Sequence, residues 1–582
     1  MGEIWESFLT EVYAAVLLEC AELCAVQDDE AEPFKSREIA LELLEDLASQ
    51  IRERFMGEWS HSNEPRPANE EVEEKLAVVK HRMGMIAMDC EQSSKGLPLL
   101  EEVIITLDQS PDRYLLELQE AHNALGALWC VRAEFQRSKK HLSAAEALYY
   151  SSLKRDAERS TSNTAEDELL DGDFVYSEGD GEATLSRTQA VLRNYTMTCF
   201  YLAQVYGHLG DAARSAEYCA TTLNLQLQNP LFDQAEWAQN SAQLAGFYVG
   251  QMDYVSAERC LAAASHVLSQ ISPKEDNSKH EDVGANLEIA WAKLYADQLR
   301  VASERVAADR PSLKECTDSE SKVQFKHLPL PVKGPLVGHL PHTYKEAVEI
   351  FNLSMPRFRT AAEFYVLDGF VTEHLGILED SGQLYKYLAV FEKCTHRKCV
   401  MYKKRHVALE AVVKQLNPKV FEHHYKQIHF SLGDSHRAVM EMKKEGRWPH
   451  KKVLKAGCSA ILHYSKFIEI VEATCNVPTD RIAMEDERSY LLAKFCIART
   501  RQNSQSIDHS DQQQDVQCLT LAYKEFESLL EYTKWHPATL EFFGEEKFIC
   551  EQMVELLPQR IDSIRHGKVL PEKLRSQRSI DP

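Results

Sequence analysis

Residues 200–222 read FYLAQVYGHLGDAARSAEYCATT, and this stretch decides the fold. Leu202-Ala203-x-x-Tyr206 is followed by Ser215, Cys219 and Thr222. Leu125-Gly126-x-x-Trp129, with Ser138, Leu142 and Ala145, repeats that spacing. So does Leu244-Ala245-x-x-Tyr248, with Ala257, Leu261 and Ala264. Each copy has a large residue, a small one and an aromatic, then a small residue nine positions on. This is the tetratricopeptide pattern: the small residues let two antiparallel helices approach closely and the aromatic fills the gap. The copies start 77 and 42 residues apart, against about 34 in the standard repeat, so the helices are expected to be elongated or interrupted.

Outward from these copies, nearly every stretch has helical period. Residues 4–24 and 36–54 repeat Leu, Val and Ile at steps of three and four. Alternating strands with hairpin turns are absent, and 23 glycines in 582 residues are too few for a chain of tight turns. The expected fold class is all-α, a solenoid of tetratricopeptide-like helix pairs. Three polar stretches interrupt it. Residues 57–70 and 501–517 read as loops. Residues 158–186 carry nine acidic residues against one basic residue and read as an acidic insertion. Pro329, Pro331, Pro335 and Pro341 with Gly334 and Gly338 place a linker at 310–342. The expected division is therefore an acidic helical lobe 1–309, the linker, and a second helical lobe 343–582.

Charge narrows the function classes. The formal net charge is −24, with −27 in residues 1–300 and +3 in the rest. So acidic a chain is a poor nucleic-acid binder, because phosphates require Lys and Arg. No apolar run reaches the ~18 residues that span a bilayer, so no membrane insertion is expected. The 15 scattered cysteines read as reduced thiols in a cytoplasmic protein.

Chemistry-bearing motifs are weak. Asp171 to Glu182 imitates a calcium loop, but Val175 and Tyr176 stand where it needs an oxygen ligand and a glycine. Cys394 with Cys399, and His424 with His429, have loose zinc spacing. The 24 residues between the pairs exceed a finger's loop, and a helical segment holds them apart. A metal-dependent hydrolase on that cluster is the enzyme-class alternative. Lys393, Arg397, Lys398, Lys403, Lys404 and Arg405 form a basic run that reads as a solvated helix face. No phosphate-binding Gly-rich loop, His-Glu-x-x-His or Gly-x-Ser-x-Gly occurs. The expectation is no catalysis, no cofactor and no metal.

What remains is surface. Stacked helix pairs make a concave face lined by the first helix of each pair. The stripe opposite the packing positions includes Phe200, Gln204 and His208, with Tyr201 beside it, and Asn123, Gln239 and Gln243 in neighbouring copies. Amide side chains both donate and accept, which suits gripping a polypeptide surface. A scaffold for peptide termini is the alternative binding reading, but residues 120–265 show no Lys/Arg clamp for a carboxylate.

Several blocks lie largely outside the generic repeat: Leu367–His374 (LDGFVTEH), Leu384–Glu392 (LYKYLAVFE), Arg397–Arg405 (RKCVMYKKR) and Leu556–Arg560 (LLPQR). With Phe200–Tyr206 they resemble, in order and over most of the chain, the kinesin family binding protein family. The resemblance implies a right-handed helical solenoid of two lobes that binds kinesin motor domains and keeps them off microtubules. It implies a cytoplasmic, cytoskeleton-associated adaptor, with microtubule-associated proteins as further partners. It points to Tyr201, Gln204 and Gln226 as motor contacts. Their loss is expected to spare the fold, because Leu202, Ala203 and Tyr206 carry the packing.

Overall fold

The computed structural model describes residues 3–29, 32–56, 68–161, 187–228, 232–271, 277–308, 321–330, 340–473, 482–505 and 512–566. Most of the acidic insertion, from 162 to 186 and including the calcium-like stretch 171–182, lies outside the described residues, as do 310–320 and 331–339 of the expected linker. No strand occurs among the described residues. Nor is any described helix long and apolar enough to cross a membrane.

Contacts divide the chain into two compact units. The first holds α1 (Glu3–Ser7), α2 (Ala14–Cys24), α3 (Lys35–Ile51), α4 (Asn69–Asp89), α5 (Ser93–Leu107), α6 (Leu115–Val131), α7 (Phe135–Thr161), α8 (Arg187–His208), α9 (Ala212–Gln226) and most of α10 (Gln234–Gly250). The second holds α11 (Tyr254–Leu268), α12 (Asn277–Ala307), α13 (Tyr344–Phe364), α14 (Val371–Phe391), α15 (Thr395–Val413), α16 (Glu422–Glu445), α17 (His450–Ala473), α18 (Met484–Asn503), α19 (Gln512–Trp535) and α20 (Leu540–Arg565). The boundary falls between Phe247 and Tyr248 in α10, whereas the sequence suggested 310–342. Part of the proline-rich stretch folds back: Val323 and Phe325 are each 1% exposed, and the Phe325 ring meets Trp237 of α10 edge-on at 5.4 Å. Parts of the expected loop 501–517 are helical, since α18 runs to Asn503 and α19 starts at Gln512; residues 506–511 lie outside the described residues. Asp515 is buried there, so polarity alone misread the helix start.

The repeat pattern acts as the sequence suggests. At Gly126 an added Cβ would lie 2.5 Å from Leu142, so α6 and α7 touch where only glycine fits. Ser138 donates its hydroxyl to Gly126 O at 2.6 Å, and Ser215 donates to Ala203 O at 2.8 Å. The same position of the second helix thus stitches back to the small residue of the first in both copies. The corner repeats too. Ala133, Gly210 and Met252 take left-handed φ of 59°, 80° and 57°. The next residue's N–H returns to the carbonyl of the aromatic, at 2.9 Å from Glu134 to Trp129, Asp211 to Tyr206 and Asp253 to Tyr248. Asp211 and Asp253 then cap α9 and α11 through Arg214 N and Ser256 N. From α2 to α9 and from α11 to α20 consecutive helices pack on one another, and α4 with α6, α6 with α8 and α12 with α14 also touch. The fold class is all-α, built of tetratricopeptide-like helix pairs.

Candidate functional site

Helix α8 has two clearly different faces. Ala190, Val191, Tyr195, Thr198, Cys199, Leu202, Ala203, Val205 and Tyr206 are buried. Met197 and Phe200, 43% and 40% exposed, line the opposite face with exposed Gln204 and His208. Their spacing of three and four is that of one helical stripe. The two large apolar side chains give this otherwise polar stripe exposed hydrocarbon that water solvates poorly. His208 is fixed by stacking on Phe135, with ring centroids 4.5 Å apart. Gln239 and Gln243 are exposed on α10 at the same four-residue step.

Three of the residues singled out from sequence sit elsewhere. Tyr201 is half-buried and packs against the cluster of Leu142, Leu202, Val205 and Tyr206. Burial, and next the neighbouring Cys130, pushes its hydroxyl pKa up. Its ring supports the α7–α8 contact, so its loss costs stability. Gln226, at the end of α9, is half-buried, and its Oε1 is buried without a hydrogen-bond partner. Asn123 is no surface residue at all. It is buried, donating to Asn194 O at 2.8 Å and accepting from Thr198 Oγ1 at 2.8 Å. Its amide is a strut between α6 and α8. Met197 was missed because sequence reading followed amides and passed over an apolar residue on the polar side.

In the second unit the basic run separates into parts. Lys393, Lys403 and Lys404 are exposed, and Arg397 pairs with Glu392 at 2.8 Å. Arg405 is 5% exposed and donates to Ser431 and Ser435 of α16, so it is an internal tie and no part of a solvated face. It lines a cleft of about 340 Å³ with Glu379, Gln427 and Asp434. The Cys394–Cys399 and His424–His429 pairs do not converge. Cys399 is buried against Val439, Met440, Val453 and Ala456. Cys394 stays exposed, its thiol pKa lowered by the backbone N–H groups of Arg397 and His396. His429 turns to His463 of α17, Nδ1 to Nδ1 at 2.9 Å. The groups that do converge are Glu410, His436 and His463.

Known proteins resemble nearly the whole chain. Residues 235–564 match the family model described as KIF-1 binding protein C terminal. The KIF-binding protein of Gallus gallus is 28% identical, over 94% of this chain and 95% of its own. That of Homo sapiens is 27% identical, over 96% and 98%. A solved structure described as Kinesin binding protein (KBP) superposes with a TM-score of 0.62 at 24% identity, covering 94% of this chain and 97% of that one. With more than half of its length inside the family model, the chain belongs to the KIF-1 binding protein C terminal family.

Proposed function

We propose that this protein is a non-catalytic adaptor that binds kinesin motor domains and blocks their attachment to microtubules, working in the cytoplasm alongside the cytoskeleton. The observation that carries the reading is the end-to-end similarity to relatives named KIF-binding protein. The charge of the amino-terminal half supports it. A motor face that meets acidic tubulin carries basic groups, and residues 1–300 hold a net −27 against them. The contact residues of this proposal are Tyr201, Gln204, His208, Gln226, Gln239 and Gln243, joined by Met197 and Phe200. Tyr201 and Gln226 are half-buried, so the test uses exposed positions.

The experiment is co-sedimentation of a panel of kinesin motor domains with microtubules, with and without the full chain. Excess protein should leave at least some motors in the supernatant, and less so as salt rises. A variant carrying Phe200→Ala, Gln204→Ala and Gln243→Ala should bind such motors about thirtyfold more weakly, the effect of removing one central contact worth ~2 kcal/mol. Its melting temperature should match the wild type. Equal pelleting of every motor with and without the protein removes the inhibitor reading. Full affinity in the triple variant moves the interface away from α8 and α10.

A further inference from the structure

Helices α15, α16 and α17 meet around a set of imidazoles. His436 of α16 sets Nε2 3.1 Å from Glu410 Oε1 of α15. A ring nitrogen of His463, on α17, completes a trio of ligand atoms that all lie within 4.8 Å of one another. No other such trio of His, Cys, Asp or Glu groups occurs among the described residues. His429 Nδ1 holds His463 Nδ1 at 2.9 Å, and the His406 ring packs on His436 with centroids 3.9 Å apart. His429 and His463 are 1% and 8% exposed, while the Glu410 side chain is 37% exposed. The cluster is therefore dry on the α17 side and open to solvent at Glu410.

Packing alone leaves this cluster unbalanced. The Nε2 atoms of His406 and His429 are buried with no hydrogen-bond partner, a state that buried polar atoms rarely keep unless water or an ion is near. The donor set also has a definite chemistry. Two imidazoles and one carboxylate suit zinc and its first-row neighbours, while calcium and magnesium favour all-oxygen sites. Ligands ~2.1 Å from a tetrahedral ion stand about 3.4 Å apart, so His436 Nε2 and Glu410 Oε1, at 3.1 Å, are close to that span. A ring nitrogen of His463 lies within 4.8 Å of both. A ligating histidine usually gives its second ring N–H to a fixed partner, and His429 is that partner for His463.

We propose that Glu410, His436 and His463 bind one Zn²⁺ ion, with a fourth position open to water beside Glu410. The ion would tie three consecutive helices together at a point where their own polar groups are incompletely paired. The role is structural and needs no bond to be made or broken in a substrate.

The test is metal titration of the full chain after chelation and dialysis, in a thiol-free reductant. Zn²⁺ should saturate at one equivalent and raise the melting temperature. Co²⁺ should give visible bands of a nitrogen and oxygen site without a sulfur-to-cobalt charge-transfer band. Glu410→Gln keeps the shape and a hydrogen bond to His436 and sits partly in solvent, so it should melt like wild type without metal. It should bind Zn²⁺ at least ~10-fold more weakly, and His436→Ala should abolish binding. The proposal is overturned if Zn²⁺ uptake is no tighter in wild type than in both variants. It is equally overturned if the Co²⁺ spectrum is that of a thiolate site lost in Cys394→Ser.

Discussion

Helix pair α6/α7 in the first unit and pair α16/α17 in the second are built on one local plan. His122 and Gly126 stand four apart on α6, as His429 and Gly433 do on α16. His141-Leu142 and His463-Tyr464 stand side by side on the returning helices. In each pair histidine meets histidine through Nδ1, at 3.2 Å and 2.9 Å. In each pair the glycine receives the neighbouring side chain: an added Cβ would lie 2.5 Å from Leu142 or 2.7 Å from Tyr464. The pairs differ three residues past the glycine. Trp129 stands there on α6, under the guanidinium groups of Arg132 and Arg137 at 5.4 Å and 4.7 Å. His436 stands there on α16, facing Glu410. An indole, with no lone pair to offer in the ring plane, makes that position a packing contact, and an imidazole makes it a ligand. Close approach is thus a common device of the fold, and the chemistry is decided by what stands beside it.

The largest expected effect tests whether the shared plan is real. Gly433→Ala should destabilise by about 1–3 kcal/mol, because Tyr464 is fully buried, rigid, and held by its hydroxyl on Asp434. Gly126→Ala should cost less, since Leu142 has rotamers through which to yield. Denaturant midpoints of the two variants check this order. A costless Gly433→Ala would mean that the two glycines do different jobs.

The shared plan also shows what sequence can carry. Three copies were legible because their aromatic and small residues keep fixed spacing. The α4/α5 pair is a further copy, with Gly84 against Leu100 and left-handed Glu91 at its corner. It went unread because Ala87 stands where the others have an aromatic. The α16/α17 pair went unread for another reason. Its corner residue Arg447 lies fourteen residues after Gly433, against seven from Gly126 to Ala133, so the contact sits two turns deeper and the sequence period is lost. Exposed Gln204, His208, Gln239 and Gln243 were legible because their buried neighbours fix the face. Asn123 and Arg405 were misread, since a polar residue looks the same from sequence whether it faces water or a buried partner. The Glu410, His436 and His463 trio was beyond reach. Its members are 26 and 27 residues apart, and only the pairing of long helices brings them together.

Acid should act on the α6/α7 pair in a definite direction. Burial, and next the neighbouring His141, lowers the His122 pKa to about 4. In the unfolded chain histidine titrates near 6.5. Between those values the unfolded state takes up a proton that the folded state refuses, so stability falls as pH drops from about 6.5 to about 4. The slope from this one group is at most ~1.4 kcal/mol per pH unit. Melting temperatures of wild type and His122→Gln should converge as pH falls through that window. Parallel curves would show that His122 takes no part in the acid response.

The smallest expected effect is the sharpest test of the comparison. His141→Gln and His463→Gln each remove one imidazole from a histidine pair of similar geometry. Each loses one hydrogen bond, part-buried for His141 and buried for His463, so each should cost roughly 0.5–1.5 kcal/mol. Their effect on Zn²⁺ uptake should nevertheless differ completely. The α6/α7 pair has no third donor within a ligand sphere among the described residues, while the α16/α17 pair has His436 and Glu410. His141→Gln should therefore leave the Zn²⁺ affinity within about twofold of wild type, and His463→Gln should weaken it at least ~10-fold. Titration of both full-length variants under one condition separates the cases. Equal loss in both would mean that two adjacent imidazoles suffice to hold the ion, and the position three residues past the glycine would decide nothing.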